Sequence, residues 1–335
     1  MVSVPDGVAG LTPSWLSAAL GREIAAVTVT PIGTGQTGSA YRLVLDDGTT
    51  LVAKTGAEDP EVRQRVAYGY RAELAFYRDI APTVDVPVAR VHAVAASDDC
   101  SQFVLLMDDL SPAVQGDQLA GTSADVVLTG ARALAGLHGP RWCDPAWKDL
   151  EVLTMPLATA ETAHGMGDLA RMATDTFLAT LGPRLSEEDR ATLDAFPKAV
   201  PEWLLARPER FALLHGDFRL DNLMLHPDGT VTVVDWQTLT VGLPARDLAY
   251  WVTTSVPPDL RRAVERDAVA AYHEALDIDG YDLATCFEDY RSGQLHTPLI
   301  VTLGWAFTTQ TDRGGDMMTV MAQRACAALR DLEVL

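Results

Sequence analysis

Cysteine is scarce in this 335-residue chain and widely scattered. Cys100, Cys143, Cys286 and Cys326 form no C-x-x-C pair, which removes zinc ribbons and thioredoxin-type chemistry and leaves free thiols in a reducing compartment. Positive charge is also short: 26 Lys plus Arg stand against 46 Asp plus Glu, a formal net charge of −20. A chain this acidic repels nucleic acid and anionic lipid headgroups, so neither nucleic acid nor a membrane is an expected partner. The seven histidines show no H-x-x-x-H or comparable ligand spacing, which argues against a dedicated zinc site. The opening "MVSVPDGVAGLTPSWL" lacks a basic region followed by an apolar run, so no signal peptide is expected. Long hydrophobic runs are missing too. The longest stretch free of Asp, Glu, Lys and Arg, Ser292 to Thr311, carries Gln, His, Pro and several Thr, the composition of a buried helix rather than a membrane span. The chain reads as soluble and cytoplasmic.

What is present is ordinary globular material in two unlike halves. Apolar residues make up 48% and charged residues 21%, enough for a core and too little charge for disorder. Thr12 is placed to cap a first helix, with Pro13 at its first position and Gly21 at its end. "IAAVTVTPI" has strand character, and "AYRLVLDDGTTLVAK" reads as two strands joined at Asp47-Gly48. A helix is expected over roughly residues 59–80, then two strands in "VPVARVHAVAA" and "QFVLLMDDL". The polar, Gly- and Pro-punctuated "DDLSPAVQGDQLAGTS" reads as a linker. Beyond it helices dominate, interrupted by a β-like island at 211–235. The expected fold is α+β, with a small β-rich N-terminal lobe over 1–108 and a larger, mainly helical lobe over 109–335.

The stretch "PIGTGQTGSAYRLVL" sets Gly33, Gly35 and Gly38 in G-x-G-x-x-G spacing. A dinucleotide fingerprint needs a helix after those glycines, because the helix N-terminus holds the pyrophosphate. A hairpin follows instead. A P-loop needs Lys after the last glycine, and Ser39 stands there. A glycine turn between strands that leads to a strand bearing Lys fits a lid over nucleotide phosphates, and "LVAK" delivers Lys54 in that position. An acid on the next helix would hold that Lys extended. Glu73 is the candidate, with Glu61 as competitor.

The richest segment is "LLHGDFRLDNLMLHPDGTVTVVDWQ". Apolar residues deliver His215, Asp217 and Asn222 in H-G-D-x-x-x-x-N, and a second apolar run delivers Asp235. Moving a phosphoryl group is mainly positioning plus charge neutralisation. A carboxylate at Asp217 can accept the proton of an alcohol, a role worth roughly 10²–10⁴-fold in rate. A hard cation such as Mg²⁺ prefers oxygen ligands, which Asn222 and Asp235 supply. His215 reads as fixing the loop through hydrogen bonds. Arg219 has two open uses: neutralising charge on the transferring group, or pairing with Asp221 or another carboxylate.

Taken with Lys54 and the glycine turn, this segment resembles the aminoglycoside phosphotransferase and choline kinase-like superfamily, which shares the two-lobed protein kinase-like fold. "HGDFRLDN", "VVDWQ" and "ARDLAYWV" look closer to the broad bacterial phosphotransferase and ecdysteroid kinase-like relatives, some of which occur linked to acyl-CoA dehydrogenases. The resemblance implies an ATP- and Mg²⁺-dependent transfer of the γ-phosphate to a small-molecule alcohol, with Asp217 and Arg219 catalytic and Asn222 and Asp235 on the metal. Gly33, Gly35, Gly38, Lys54 and Glu73 would serve the nucleotide, with backbone around Met107 and Asp108 against the base. Asp247 is expected to cap the helix that follows and to brace the catalytic loop. The acceptor stays open among aminoglycoside-like, sugar, steroid-like and hydroxyacyl alcohols. A catalytically silent kinase-like binding protein is the alternative, and a Rossmann-type oxidoreductase a more distant one.

Overall fold

The computed structural model describes residues 3–5, 7–34 and 38–335. The first helix, α1 (Pro13–Leu20), starts where the Thr12 hydroxyl accepts the Trp15 N–H and ends at Gly21 with φ 65°. Strands β1 (Val27–Thr34), β2 (Gly38–Leu45) and β3 (Thr50–Gly56) follow, and after helix α2 (Pro60–Ala75) come β4 (Val91–Ala96) and β5 (Phe103–Asp108). They form one antiparallel sheet in the order β1-β2-β3-β5-β4. Tyr41, Leu43 and Leu45 of β2 and Leu51 and Ala53 of β3 alternate inward, and with Leu106 they seal that face against Leu11 and Leu16. The other face carries α2, whose N-terminus is capped by the Asp59 carboxylate. Directly after α2 the chain continues through Phe76–Ile80 in π-helical geometry, a departure from the single helix expected over roughly 59–80.

The segment after β5 is not a loose tether. It contains β6 (Val114–Gln115), which pairs with β8 (Leu223–Leu225), itself paired with β9 (Val231–Val233). Gln118 is fully buried there: its amide oxygen accepts the Leu220 N–H and its Nε2 donates to the Thr254 carbonyl. Polar composition suggested a linker, and most of its polar side chains are exposed or half-buried, but Gln118 is spent inside the fold. A further two-stranded sheet pairs β7 (Ala212–Leu214) with β10 (Thr240–Gly242), a strand too short for sequence periodicity to reveal.

Helices make up the rest: α3 (Ala124–His138), α4 (Ala160–Thr180), α5 (Glu187–Ala195), α6 (Val200–Leu205), α7 (Ala245–Ser255), α8 (Pro258–Leu276), α9 (Leu283–Gly293), α10 (His296–Phe307) and α11 (Asp312–Asp331). Every residue of α7 is buried, and α3, α8, α9, α10 and α11 pack around it. Gly130 of α3 lets that helix approach α7: a Cβ there would lie 2.5 Å from the Trp251 ring. No helix among the described residues is long and apolar enough to cross a membrane.

Candidate active site

The short strands around 212–242 exist to present loops. β7 delivers His215-Gly216-Asp217, β8 follows Asn222, and β9 leads to Asp235. The turn after β7 requires glycine: Gly216 has φ 82°, and a Cβ would fall 2.2 Å from the Thr238 carbonyl oxygen. Asp235 also has positive φ, 66°, a conformation Asp tolerates better than most residues.

Lys54 projects from β3 across to this loop. Its Nζ lies 2.8 Å from Glu73 Oε1 and 3.0 Å from Asp235 Oδ1. Glu73 is buried on α2 and its second oxygen accepts from Gln237 Nε2 at 3.2 Å. Glu61, the competitor, sits in the exposed first turn of α2. Burial disfavours the Lys54 ammonium, yet Asp235 and then Glu73 outweigh it and hold the amine protonated above its ordinary range. Burial raises the Glu73 carboxyl, with Lys54 opposing. Burial works the same way on Asp235, but Lys54 prevails and its carboxyl is lowered. Gln237, unread in the sequence, belongs to this cluster. Gly69 makes room for it, since a Cβ there would lie 3.2 Å from the Gln237 carbonyl oxygen.

The aromatic residue after Asp235 fixes the same junction. Trp236 is fully buried and stacks on Phe76 at 3.5 Å with rings within 8° of parallel, while the His215 ring lies 4.7 Å from it. His215 holds the loop together: its Nε2 is 3.1 Å from the Val234 carbonyl and its Nδ1 accepts the Asp217 N–H at 3.3 Å.

Asp217 is crowded with donors. Arg219 Nε is 3.1 Å from both carboxylate oxygens, Asn222 Nδ2 is 3.0 Å from Oδ2, and the Tyr250 hydroxyl is 2.8 Å from Oδ1. Arg219 also pairs with Asp221 at 2.6 Å, so of its two sequence uses the pairing with carboxylates is the one present here. Burial works against its charge, but Asp217 and Asp221 outweigh that and raise the guanidinium further. Asp247 braces the loop by accepting the His215 and Gly216 N–H groups at 2.7 and 3.1 Å. It does not cap its helix. It lies inside the first turn of α7, whose N-cap position is Pro244, and its oxygens are spent on the loop.

The remaining expected residues are spread along the sheet. Gly33 sits in β1 opposite Ala40. Gly38 opens β2, where a Cβ would lie 2.8 Å from the Thr55 carbonyl oxygen. Gly35 lies outside the described residues. Met107 is buried in β5. Asp108 is partly committed elsewhere: its N–H donates to the Arg90 carbonyl and its carboxylate meets His92 Nε2 at 2.6 Å. Tyr250 was missed because its hydroxyl reaches Asp217 only once α7 folds under the loop.

Residues 28–284 match the phosphotransferase enzyme family. The fold is similar to that of a Ralstonia eutropha protein provisionally called an aminoglycoside phosphotransferase, at 20% identity, TM-score 0.60, and coverage of 95% of this chain and 97% of that one. It is also similar to aminoglycoside 2'-phosphotransferase-IIIa in its GDP complex, at 13% identity, TM-score 0.57, and 90% and 93% coverage. A third likeness is to Plasmodium vivax ethanolamine kinase, at 12% identity, TM-score 0.56, and 90% and 83% coverage. Among curated proteins, 54 residues are 48% identical to acyl-CoA dehydrogenase family member 10 of Mus musculus, spanning 15% of this chain and 5% of that protein. A further 49% identity over 58 residues links the chain to acyl-CoA dehydrogenase family member 11 of Homo sapiens, spanning 16% and 7%. The match therefore covers only a small fraction of those relatives' length.

Proposed function

The chain belongs to the phosphotransferase enzyme family, and from that premise we propose that it is an ATP- and Mg²⁺-dependent O-phosphotransferase acting on a hydroxyl of a small molecule. In this reading residues 1–108 form the nucleotide-binding lobe and residues 109–335 the catalytic and acceptor-binding lobe. The observation that carries it is Lys54 bridging Glu73 and Asp235, on the same loop system that holds Asp217 and Asn222.

The donor set fits a hard cation. Asn222 commits its Nδ2 to the Asp217 carbonyl and carboxylate, which leaves its amide oxygen as the ligating end. The Asp235 side chain is 39% exposed and ionised beside Lys54. Two oxygens of this kind suit Mg²⁺, which when bound neutralises charge on the phosphates. Lys54 binds phosphate oxygens, Glu73 keeps Lys54 extended, and Gly33 and Gly38 let β1 and β2 backbone approach from above. Asp217 orients the acceptor hydroxyl and takes its proton. Arg219 neutralises charge beside it. The acceptor stays open among aminoglycoside-like, sugar, steroid-like and hydroxyacyl alcohols.

The test is an ATP-consumption screen over aminoglycosides, sugars, choline-like alcohols, steroids and hydroxyacyl-CoA compounds, with the phosphorylated product identified. One class should yield ADP and a phosphate ester, with turnover reduced about 100-fold or more in Asp217→Asn. A protein stabilised by NADPH and unaffected by Mg·ATP would overturn the proposal.

A further inference from the structure

A carboxylate offers about four acceptor positions, two on each oxygen. At Asp217 three donors hold both oxygens: the Tyr250 hydroxyl on Oδ1, Asn222 Nδ2 on Oδ2, and the single Arg219 Nε–H shared between the two at 3.1 Å. An alcohol that donates a well-formed hydrogen bond to Asp217 competes with these donors for the carboxylate. The three are not equally able to leave. Asn222 is buried and also bonded to the Asp217 carbonyl. Tyr250 is 1% exposed, with its ring packed against His296 at 5.6 Å. Arg219 has Asp221 at 2.6 Å and Met317 Sδ at 3.4 Å as standing partners, so it keeps an ion pair when it lets go of Asp217.

Resting on the phosphotransferase reading, we propose that Tyr250 is a positioning residue for the catalytic carboxylate, and that Arg219 is the donor the acceptor hydroxyl displaces. Tyr250 fixes one edge of Asp217 by donating to Oδ1, and Asn222 fixes the other. Together they hold the carboxylate plane while the Arg219 side opens toward the acceptor. Tyr250 stands three residues after Asp247 on α7, so one helix face binds both the backbone of the loop, through Asp247, and its reacting side chain, through Tyr250. Burial keeps the phenol protonated, and the Asp217 charge adds to this, so its proton stays a donor at working pH.

The experiment is a double-mutant cycle with Tyr250→Phe and Asp217→Asn, measuring ATP turnover with water and with the alcohol found in the screen as acceptors. Tyr250→Phe keeps the ring and its packing. It should lower kcat about tenfold, the effect of losing one directing hydrogen bond, and leave KM for ATP within about twofold. In the Asp217→Asn background the same change should have no further effect on kcat, because both act through one carboxylate. A structural arm needs no turnover: in protein labelled at tyrosine Cζ, the NMR signal assigned to Tyr250 by its loss in Tyr250→Phe should shift in Asp217→Asn. Wild-type kcat in Tyr250→Phe, additive losses in the double variant, or an unmoved Cζ signal would each overturn the role of Tyr250. A shifted signal in a protein that neither binds nor turns over Mg·ATP would instead overturn the phosphotransferase reading and leave the placement standing.

Discussion

His296 opens α10 with 1% of its surface exposed; its ring lies against the Gly216 backbone, with neither nitrogen in a well-formed hydrogen bond. Burial pushes its imidazole down from 6.5 to about 4; Asp247 pulls the other way and the Arg246 charge adds to the depression. The sign follows directly. Above pH 6.5 the ring is neutral in both folded and unfolded chains, and stability is intact. As pH falls below 6.5 the unfolded chain gains a proton that the folded chain refuses, so stability is lost until about pH 4. Between pH 7 and pH 5 the loss from this one group is ~2 kcal/mol. His296→Gln removes the titration. Urea midpoints of wild type and variant at both pH values isolate the effect, since other groups cancel in the difference. The wild type should lose ~2 kcal/mol more than His296→Gln between pH 7 and 5. Equal losses in the two proteins, with a His296 ring signal titrating near 6.5, would refute the buried-neutral assignment.

Three other perturbations follow from the same geometry. Gly216→Ala forces a Cβ to 2.2 Å from the Thr238 carbonyl at φ 82°, so turnover should fall about 100-fold or more as the Asp217 loop shifts; unchanged kcat would show that the loop geometry is not needed. Lys54→Met leaves Glu73 buried without its cation and should cost about 3 kcal/mol in urea unfolding, part of which Lys54→Met/Glu73→Gln should recover. Full retention of stability in the single variant would mean the Lys54–Glu73 pair is not coupled as drawn. Arg246 stacks 4.4 Å over Trp203, has no ion pair among the described residues, and is lowered to about 10 by burial. Arg246→Met, of similar length, should be neutral or stabilising by roughly 1 kcal/mol; a large loss would reveal a charge requirement.

Most of the frame was legible because it is written in local chemistry. Asp47-Gly48 fixes the β2–β3 hairpin, Thr12 and Pro13 start α1, and Gly139 follows α3. Asp217, Asn222 and Asp235 were legible as a spacing between apolar strands. What stayed hidden depends on long-range packing. Tyr250 and Gln237 are ordinary residues until α7 and α2 meet the loop; for Asp247 the expected bracing of the loop is present and the expected capping of its helix is not. Gln118 looked like part of a linker because a buried, satisfied amide reads the same as a solvated one. Asp108 was named by the resemblance for its place at the end of β5, and only the fold shows its N–H already given to the Arg90 carbonyl.

The central claim is that Lys54, Asn222 and Asp235 form a metal-dependent nucleotide site, and calorimetric titration of ATP tests it without knowledge of the acceptor. Binding should be seen with Mg²⁺, weaken strongly when EDTA replaces it, and weaken about tenfold or more in Asp235→Ala, a loss of at least ~1.4 kcal/mol. No ATP binding, or binding of equal strength with EDTA and in Asp235→Ala, would contradict the account.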